Sequence, residues 1–214
     1  MLKAGIFDLD GVIVNTVPLH FKSWQRMFSE YGKEFSFEDY KEKVDGIPRI
    51  DGAKAILTDL SQEELIKAGQ TKQKYFLEAL KKDKIMVYET TVKLIHALRG
   101  DNIKTAIISS SKNCPAILEK VGLTDVFDAA VTGGDVKKGK PEPDIFLAAA
   151  DKLSIQPIDC IVFEDAVLGV EAAKRANMRC VGIDRYDKPD RLNKADIIVS
   201  DLGEVDLNKI RSLF

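Results

Sequence analysis

Ala4-Gly5-Ile6-Phe7-Asp8-Leu9-Asp10-Gly11 is an apolar run that ends in two carboxylates and a glycine. Residues two apart share one face of an extended chain, so Asp8 and Asp10 point the same way. Carboxylates held that close repel, and desolvation raises the cost of ionising both. A bland fold would not place them at the mouth of its first strand. A magnesium and phosphate site would, because Mg²⁺ takes one or two carboxylates together with substrate phosphate oxygens.

Further blocks of the same kind lie downstream. Ile107-Ile108-Ser109-Ser110-Ser111-Lys112-Asn113 is an apolar strand ending in hydroxyls, and Ile161-Val162-Phe163-Glu164-Asp165 is an apolar strand ending in acids. Lys140-Pro141-Glu142-Pro143-Asp144 sets a basic residue before a proline-rich helix start. Around them, the apolar runs 103–108, 129–132, 160–163, 180–183 and 197–199 alternate with helical patterns. These patterns are Val92-Ile95-Leu98, Ile117-Leu118-Val121 closed by Gly122, and Val167-Val170-Ala173-Ala176. Continuous apolar strands alternating with helices predict a parallel sheet covered on both faces. The expected fold is a doubly wound, Rossmann-like α/β core, whose sites lie beyond the carboxyl ends of the strands.

Residues 17–84 read as a helical insert after the first strand, splitting the core into 1–16 and 85–214. Phe21, Trp24, Phe28 and Tyr31 recur on one helix face. Ser36 opens a second helix with Phe37, Tyr40 and Val44 expected inward, and Ser61-Gln62-Glu63-Glu64 is a capping box for a long helix. The insert is expected to be a small four-helix cap domain.

Composition narrows the function classes. The chain has 214 residues, 45% hydrophobic and 31% charged, with a formal charge of −2, so neither nucleic acid nor an anionic membrane is expected as a partner. The lysines at 81, 82 and 84 read as a solvated helix end. Cys114, Cys160 and Cys180 form no C-x-x-C pair and fit a reduced cytoplasmic setting. Two histidines make a zinc site improbable. No apolar run approaches 18 residues and no signal peptide is seen, so no membrane span is expected.

Taken together and in their order along the chain, with the Lys140 block third and the Glu164-Asp165 block fourth, the four blocks resemble the haloacid dehalogenase superfamily of phosphotransferases, and within it the β-phosphoglucomutase branch. The resemblance covers nearly the whole chain. It implies that Asp8 is a nucleophile forming an aspartyl phosphate and that Asp10 is the general acid and base. It implies a Mg²⁺ ion on Asp8, the Asp10 backbone carbonyl, Asp165 and, directly or through water, Glu164. Lys140 pairs with the nucleophile and the transferring phosphoryl group. Ser109 offers a hydroxyl to phosphate oxygens, and Ser111, Lys112 and Asn113 hold the non-reacting phosphate or the sugar. In the insert, Asp45-Gly46-Ile47-Pro48-Arg49 matches the branch's specificity loop, with Arg49 as a bidentate phosphate grip. His20 and Thr16 are candidates for steadying Asp10, and Trp24 for packing over a sugar. Asp45 and Gly52 depart from the mutase pattern, which often has lysine and serine there. The implied activity is interconversion of β-D-glucose 1-phosphate and glucose 6-phosphate by a monomer acting on a small sugar phosphate. Alternatives are a phosphatase using the same aspartyl phosphate, and a non-catalytic phosphate-binding or regulatory protein.

Overall fold

The computed structural model describes residues 1–45 and 47–214. The chain divides into two compact units, one of residues 1–15 and 87–214, the other of residues 16–86.

Among the described residues of the larger unit, six strands form one parallel sheet in the order β5-β4-β1-β6-β7-β8. They are β1 (Ala4–Asp8), β4 (Lys104–Ser109), β5 (Ala129–Thr132), β6 (Cys160–Glu164), β7 (Arg179–Ile183) and β8 (Ile197–Val199). A short ribbon of β2 (Val14–Asn15) and β3 (Met86–Val87) lies where the chain leaves and re-enters this unit. β1 and β6 are buried along their whole length, which is why both read as unbroken apolar runs. The helices of this unit are α5 (Glu89–Gly100), α6 (Cys114–Val121), α7 (Asp144–Leu153), α8 (Val167–Arg175) and α9 (Leu207–Arg211). Gly122 ends α6 in the left-handed conformation, φ 72°. Ile6, Ile108, Val131, Phe146, Val162 and Val170 meet in the core. Phe7 and Phe163 stack with ring centroids 4.4 Å apart.

Chain order and sheet order together place the site. The chain runs from β1 to β4 on one side and from β6 to β7 on the other, so the winding reverses between β1 and β6. Ligands of open parallel sheets bind beyond the carboxyl ends at such a point. The register pairs Phe7 with Phe163 and Asp8 with Ile108. Asp8, Glu164 and Ser109 therefore end three adjacent strands.

The smaller unit is helical: α1 (Val17–Glu30), α2 (Phe37–Asp39), α3 (Arg49–Ile56) and α4 (Gln62–Lys82). Ser36 and Asp39 form a reciprocal capping box, as do Ser61 and Glu64. Trp24, Phe28, Tyr40, Val44, Leu65 and Ala68 make its core. Two expectations fail here. Phe37 is 42% exposed, because α2 runs after one turn into a π-helical segment, Tyr40–Val44, whose wider winding turns only Tyr40 and Val44 inward. Tyr31 is 38% exposed because it lies just past the end of α1.

Candidate active site

Lys140 is the centre of the site. Its ammonium donates to Asp8 Oδ1 at 2.6 Å and also to Glu164 Oε1. Its side chain is 10% exposed, and the Lys140–Pro141 peptide is cis. Glu164 is fully buried, and its other oxygen accepts from the Ala166 amide at 2.7 Å. Asp8 Oδ2 accepts from the Asp10 amide at 3.0 Å, so one carboxylate fixes the backbone that carries the other.

Burial pushes the Asp8 carboxyl up to about 8; Lys140 works against that rise, while Glu164 and Asp10 add to it. Burial likewise disfavours charge on Lys140, but the Asp8 and Glu164 carboxylates outweigh it and hold the ammonium above its ordinary value. The Ser109 hydroxyl is buried, faces Asp10 Oδ2 at 3.4 Å and accepts from the Ser111 amide at 3.0 Å. Ser111 Oγ accepts from the Asn113 amide at 3.1 Å. Lys112 is exposed, and its aliphatic stem lies along Gly134. Asn113 holds the N-cap position of α6 without a side-chain cap bond.

Two glycines make room for the acids. Gly11 has φ +79°, and a Cβ there would stand 1.9 Å from Asp165 Oδ2. A Cβ on Gly169 would stand 1.7 Å from Glu164 Oε1. The N-cap of α8 is Ala166, so helix capping does not account for Asp165.

The remaining candidates lie in the smaller unit. Arg49 is exposed and donates to Gln73 Oε1 at 2.7 Å. Asp45 accepts from the Tyr40 hydroxyl at 3.0 Å. Gly46 lies outside the described residues. Trp24, expected to pack over a sugar, is instead 3% exposed, stacks on Phe28 and leaves 2.9 Å for a Cβ on Gly52. An indole wedged between helices is a core side chain. His20 stacks on Phe76, and its Nδ1 lies 2.8 Å from Lys72 Nζ. Burial and Lys72 hold the His20 pKa well below the usual range, so the ring is neutral. An ammonium has only donors, so Nδ1 accepts and the proton sits on Nε2.

Sequence reading missed Lys72, which is 3% exposed. The signal was present: Leu65, Ala68, Gly69, Lys72 and Phe76 share the buried stripe of α4. Gly169 was missed as well, five residues after Glu164.

Among the described residues, no three His, Cys, Asp or Glu side chains form a ready-made metal cage. The donor set still suits Mg²⁺, which keeps open positions for water and phosphate oxygens around one or two carboxylates. Asp8 stands among Asp10 and Glu164 with Lys140 as their nearby cation, an imbalance that a divalent ion would offset. Elsewhere, a cavity of about 780 Å³ at the opposite ends of the strands is lined by Lys3, Lys104 and Arg211. These cations are matched by Asp159, Asp128 and Asp101, so the cavity carries no comparable chemistry.

Residues 5–183 match the model of the haloacid dehalogenase-like hydrolase family, and the chain belongs to that family. Within it the chain is β-phosphoglucomutase-like. It is 34% identical to a β-phosphoglucomutase of Bacillus subtilis, covering 96% of this chain and 92% of that one. It is also 34% identical to a fructose-1-phosphate phosphatase of Escherichia coli, covering 83% of this chain and 94% of that one. The crystal structure of a β-phosphoglucomutase from Clostridium difficile superposes with a TM-score of 0.88 at 31% identity, covering 99% of this chain and 96% of that one. The chain is thus a phosphatase or mutase of this family. No helix among the described residues is long and apolar enough to cross a membrane.

Proposed function

We propose that this protein interconverts β-D-glucose 1-phosphate and glucose 6-phosphate through a phosphorylated Asp8, with the 1,6-bisphosphate as intermediate. The observation that carries the chemistry is the Lys140 ammonium shared by Asp8 and Glu164 inside the sheet's switch point. It holds the nucleophile in place and neutralises part of the charge gathered there.

In the first half-reaction the C6 hydroxyl of β-glucose 1-phosphate attacks phospho-Asp8 and gives its proton to the Asp10 carboxylate, the bond from phosphorus to Asp8 breaks, and the bisphosphate forms. In the second, an Asp8 oxygen attacks the C1 phosphate of the turned-over bisphosphate, the bond from phosphorus to the sugar oxygen breaks, and the Asp10 carboxyl protonates the leaving oxygen, which regenerates phospho-Asp8 and releases glucose 6-phosphate. Mg²⁺, when held by Asp8, Asp165, the Asp10 carbonyl and Glu164, supplies charge stabilisation for the transferring group. Ser109 donates to a phosphoryl oxygen. Ser111, Lys112 and Asn113 hold the non-reacting phosphate or the sugar, and the Arg49 guanidinium is a bidentate grip for a phosphate.

A second candidate activity is hydrolysis of a small sugar phosphate, with water replacing the sugar hydroxyl. Gly52 favours it: the mutase pattern has serine there, and the Trp24 ring leaves no room for a Cβ without movement. The two separate by phosphorus NMR with β-glucose 1-phosphate, Mg²⁺ and a trace of the bisphosphate. Glucose 6-phosphate forming without inorganic phosphate supports the mutase. Inorganic phosphate as the main product overturns it in favour of the hydrolase.

A further inference from the structure

We propose that Arg185 is a positioning residue for Asp10, holding the backbone turn on which the acid–base carboxylate stands. The proposal rests on the roles given to Asp8 and Asp10 above. Residues 9–14 close on themselves: the Gly11 amide donates to Val14 O at 2.8 Å, and the Ile13 and Val14 amides donate to Leu9 O at 3.0 and 3.1 Å. This leaves three successive carbonyls to be met from outside the turn. Arg185 Nε donates to Gly11 O at 2.8 Å, Thr91 Oγ1 to Val12 O at 2.7 Å, and the Tyr88 amide to Ile13 O at 2.9 Å.

Arg185 is held through Nε, Nη1 and its flat face, while Nη2 is buried without a hydrogen-bond partner among the described residues. Nη1 donates to Ser200 O at 3.1 Å and lies 3.6 Å from Asp201 Oδ2. Its guanidinium carbon stands 3.7 Å above the centre of the Tyr88 ring, and the side chain is 14% exposed. The planar fork meets Gly11 and Ser200 at once, a geometry that a lysine ammonium does not reproduce.

The two carboxylates depend on this turn unequally. Asp8 belongs to β1, is flanked by β4 and β6, and is gripped by Lys140. Asp10 lies beyond the strand, and the next carbonyl along its backbone is the one Arg185 binds. Loss of the guanidinium therefore loosens Asp10 more than Asp8, which gives up at most the hydrogen bond from the Asp10 amide and keeps its place in β1 and its contact with Lys140.

The test separates the half-reactions in Arg185→Met and Arg185→Lys. Acetyl phosphate needs no proton on its leaving group, so it reports on Asp8 alone. Labelling of Asp8, followed by mass spectrometry, is expected to stay within about threefold of wild type. Transfer from phospho-Asp8 to glucose 6-phosphate is expected to slow at least about tenfold, since general acid–base help is worth roughly 10²–10⁴-fold. Its pH profile should shift, and Arg185→Lys should recover only part of the loss. Tyr88→Leu, which removes the platform and keeps the guanidinium, is expected to show the same split and stands in if Arg185→Met does not fold. Equal slowing of both half-reactions, or unchanged transfer, overturns the positioning role while leaving the aspartyl-phosphate chemistry intact. A wild-type protein that never labels overturns both.

Discussion

Gly169→Ala is the substitution whose outcome the structure and ordinary helix energetics predict with opposite signs. Gly169 lies inside α8, where alanine for glycine gains about 0.8–1 kcal/mol of helix propensity. The added Cβ, however, would stand 1.7 Å from Glu164 Oε1 and 2.0 Å from its carboxyl carbon. The whole carboxyl group has to move, and it is fully buried between Lys140 and the Ala166 amide. Breaking a buried ion pair from one side costs about 3–5 kcal/mol. The difference leaves the variant about 2–4 kcal/mol less stable, with Lys140 displaced from its position beside Asp8. Denaturant unfolding gives the stability, and acetyl phosphate labelling with mass spectrometry gives the state of the nucleophile. A variant that melts at or above wild type and labels normally would refute this account of why α8 carries a glycine.

Other substitutions probe the site more directly. Asp8→Asn should abolish phosphoenzyme, whereas Asp10→Asn should still label with acetyl phosphate but transfer to a sugar roughly 10²–10⁴-fold more slowly; labelling confined to Asp8→Asn would move the nucleophile to Asp10. Arg49→Ala should raise KM for the sugar phosphate and spare labelling by acetyl phosphate, with equal loss for both donors counting against a grip on the distal end. Excess chelator should stop turnover and Mg²⁺ restore it, checked against verified metal content. The pH dependence has a definite sign. Asp8 titrates near 8 in the folded chain against an ordinary value of 3.8, so the folded state binds this proton more tightly. Its contribution is fully present below pH 3.8 and is lost as pH rises to about 8. In chelator, wild-type stability should therefore fall as pH rises toward 8, and Asp8→Asn should flatten that dependence; a dependence that survives the substitution unchanged contradicts the assignment.

The parallel core was legible because its central strands are buried on both faces, so β1, β4 and β6 appear as apolar runs that periodicity cannot disguise. The acids and hydroxyls were legible for a related reason: polar groups directly after such runs have to lie at a strand end. The helical insert was harder. Its capping boxes at Ser36 and Ser61 are local and could be read, but the π-helical segment after Asp39 depends on packing and no spacing rule announced it. Trp24 carried the same ambiguity, since an aromatic on a helix face serves a core or a ligand equally well. Arg185 was invisible for another reason. Its partner Gly11 O is 174 residues away, and a carbonyl has no sequence signature.

The strand order has a consequence for how the chain acquires its structure. β1 sits mid-sheet, yet its neighbours β4 and β6 begin only at Lys104 and Cys160. During synthesis this strand emerges long before anything it can pair with, and closing such distant contacts is slow. Residues 16–86, by contrast, are contiguous and carry their own apolar centre. The insert should therefore become ordered while the opening strand is still waiting, and the acidic pair at its tip should be the last part of the molecule to find its surroundings. Pulse-labelled hydrogen exchange during refolding would show this as early protection of α1 and α4 amides and late protection of β1; simultaneous protection would mean that the sheet assembles without that delay.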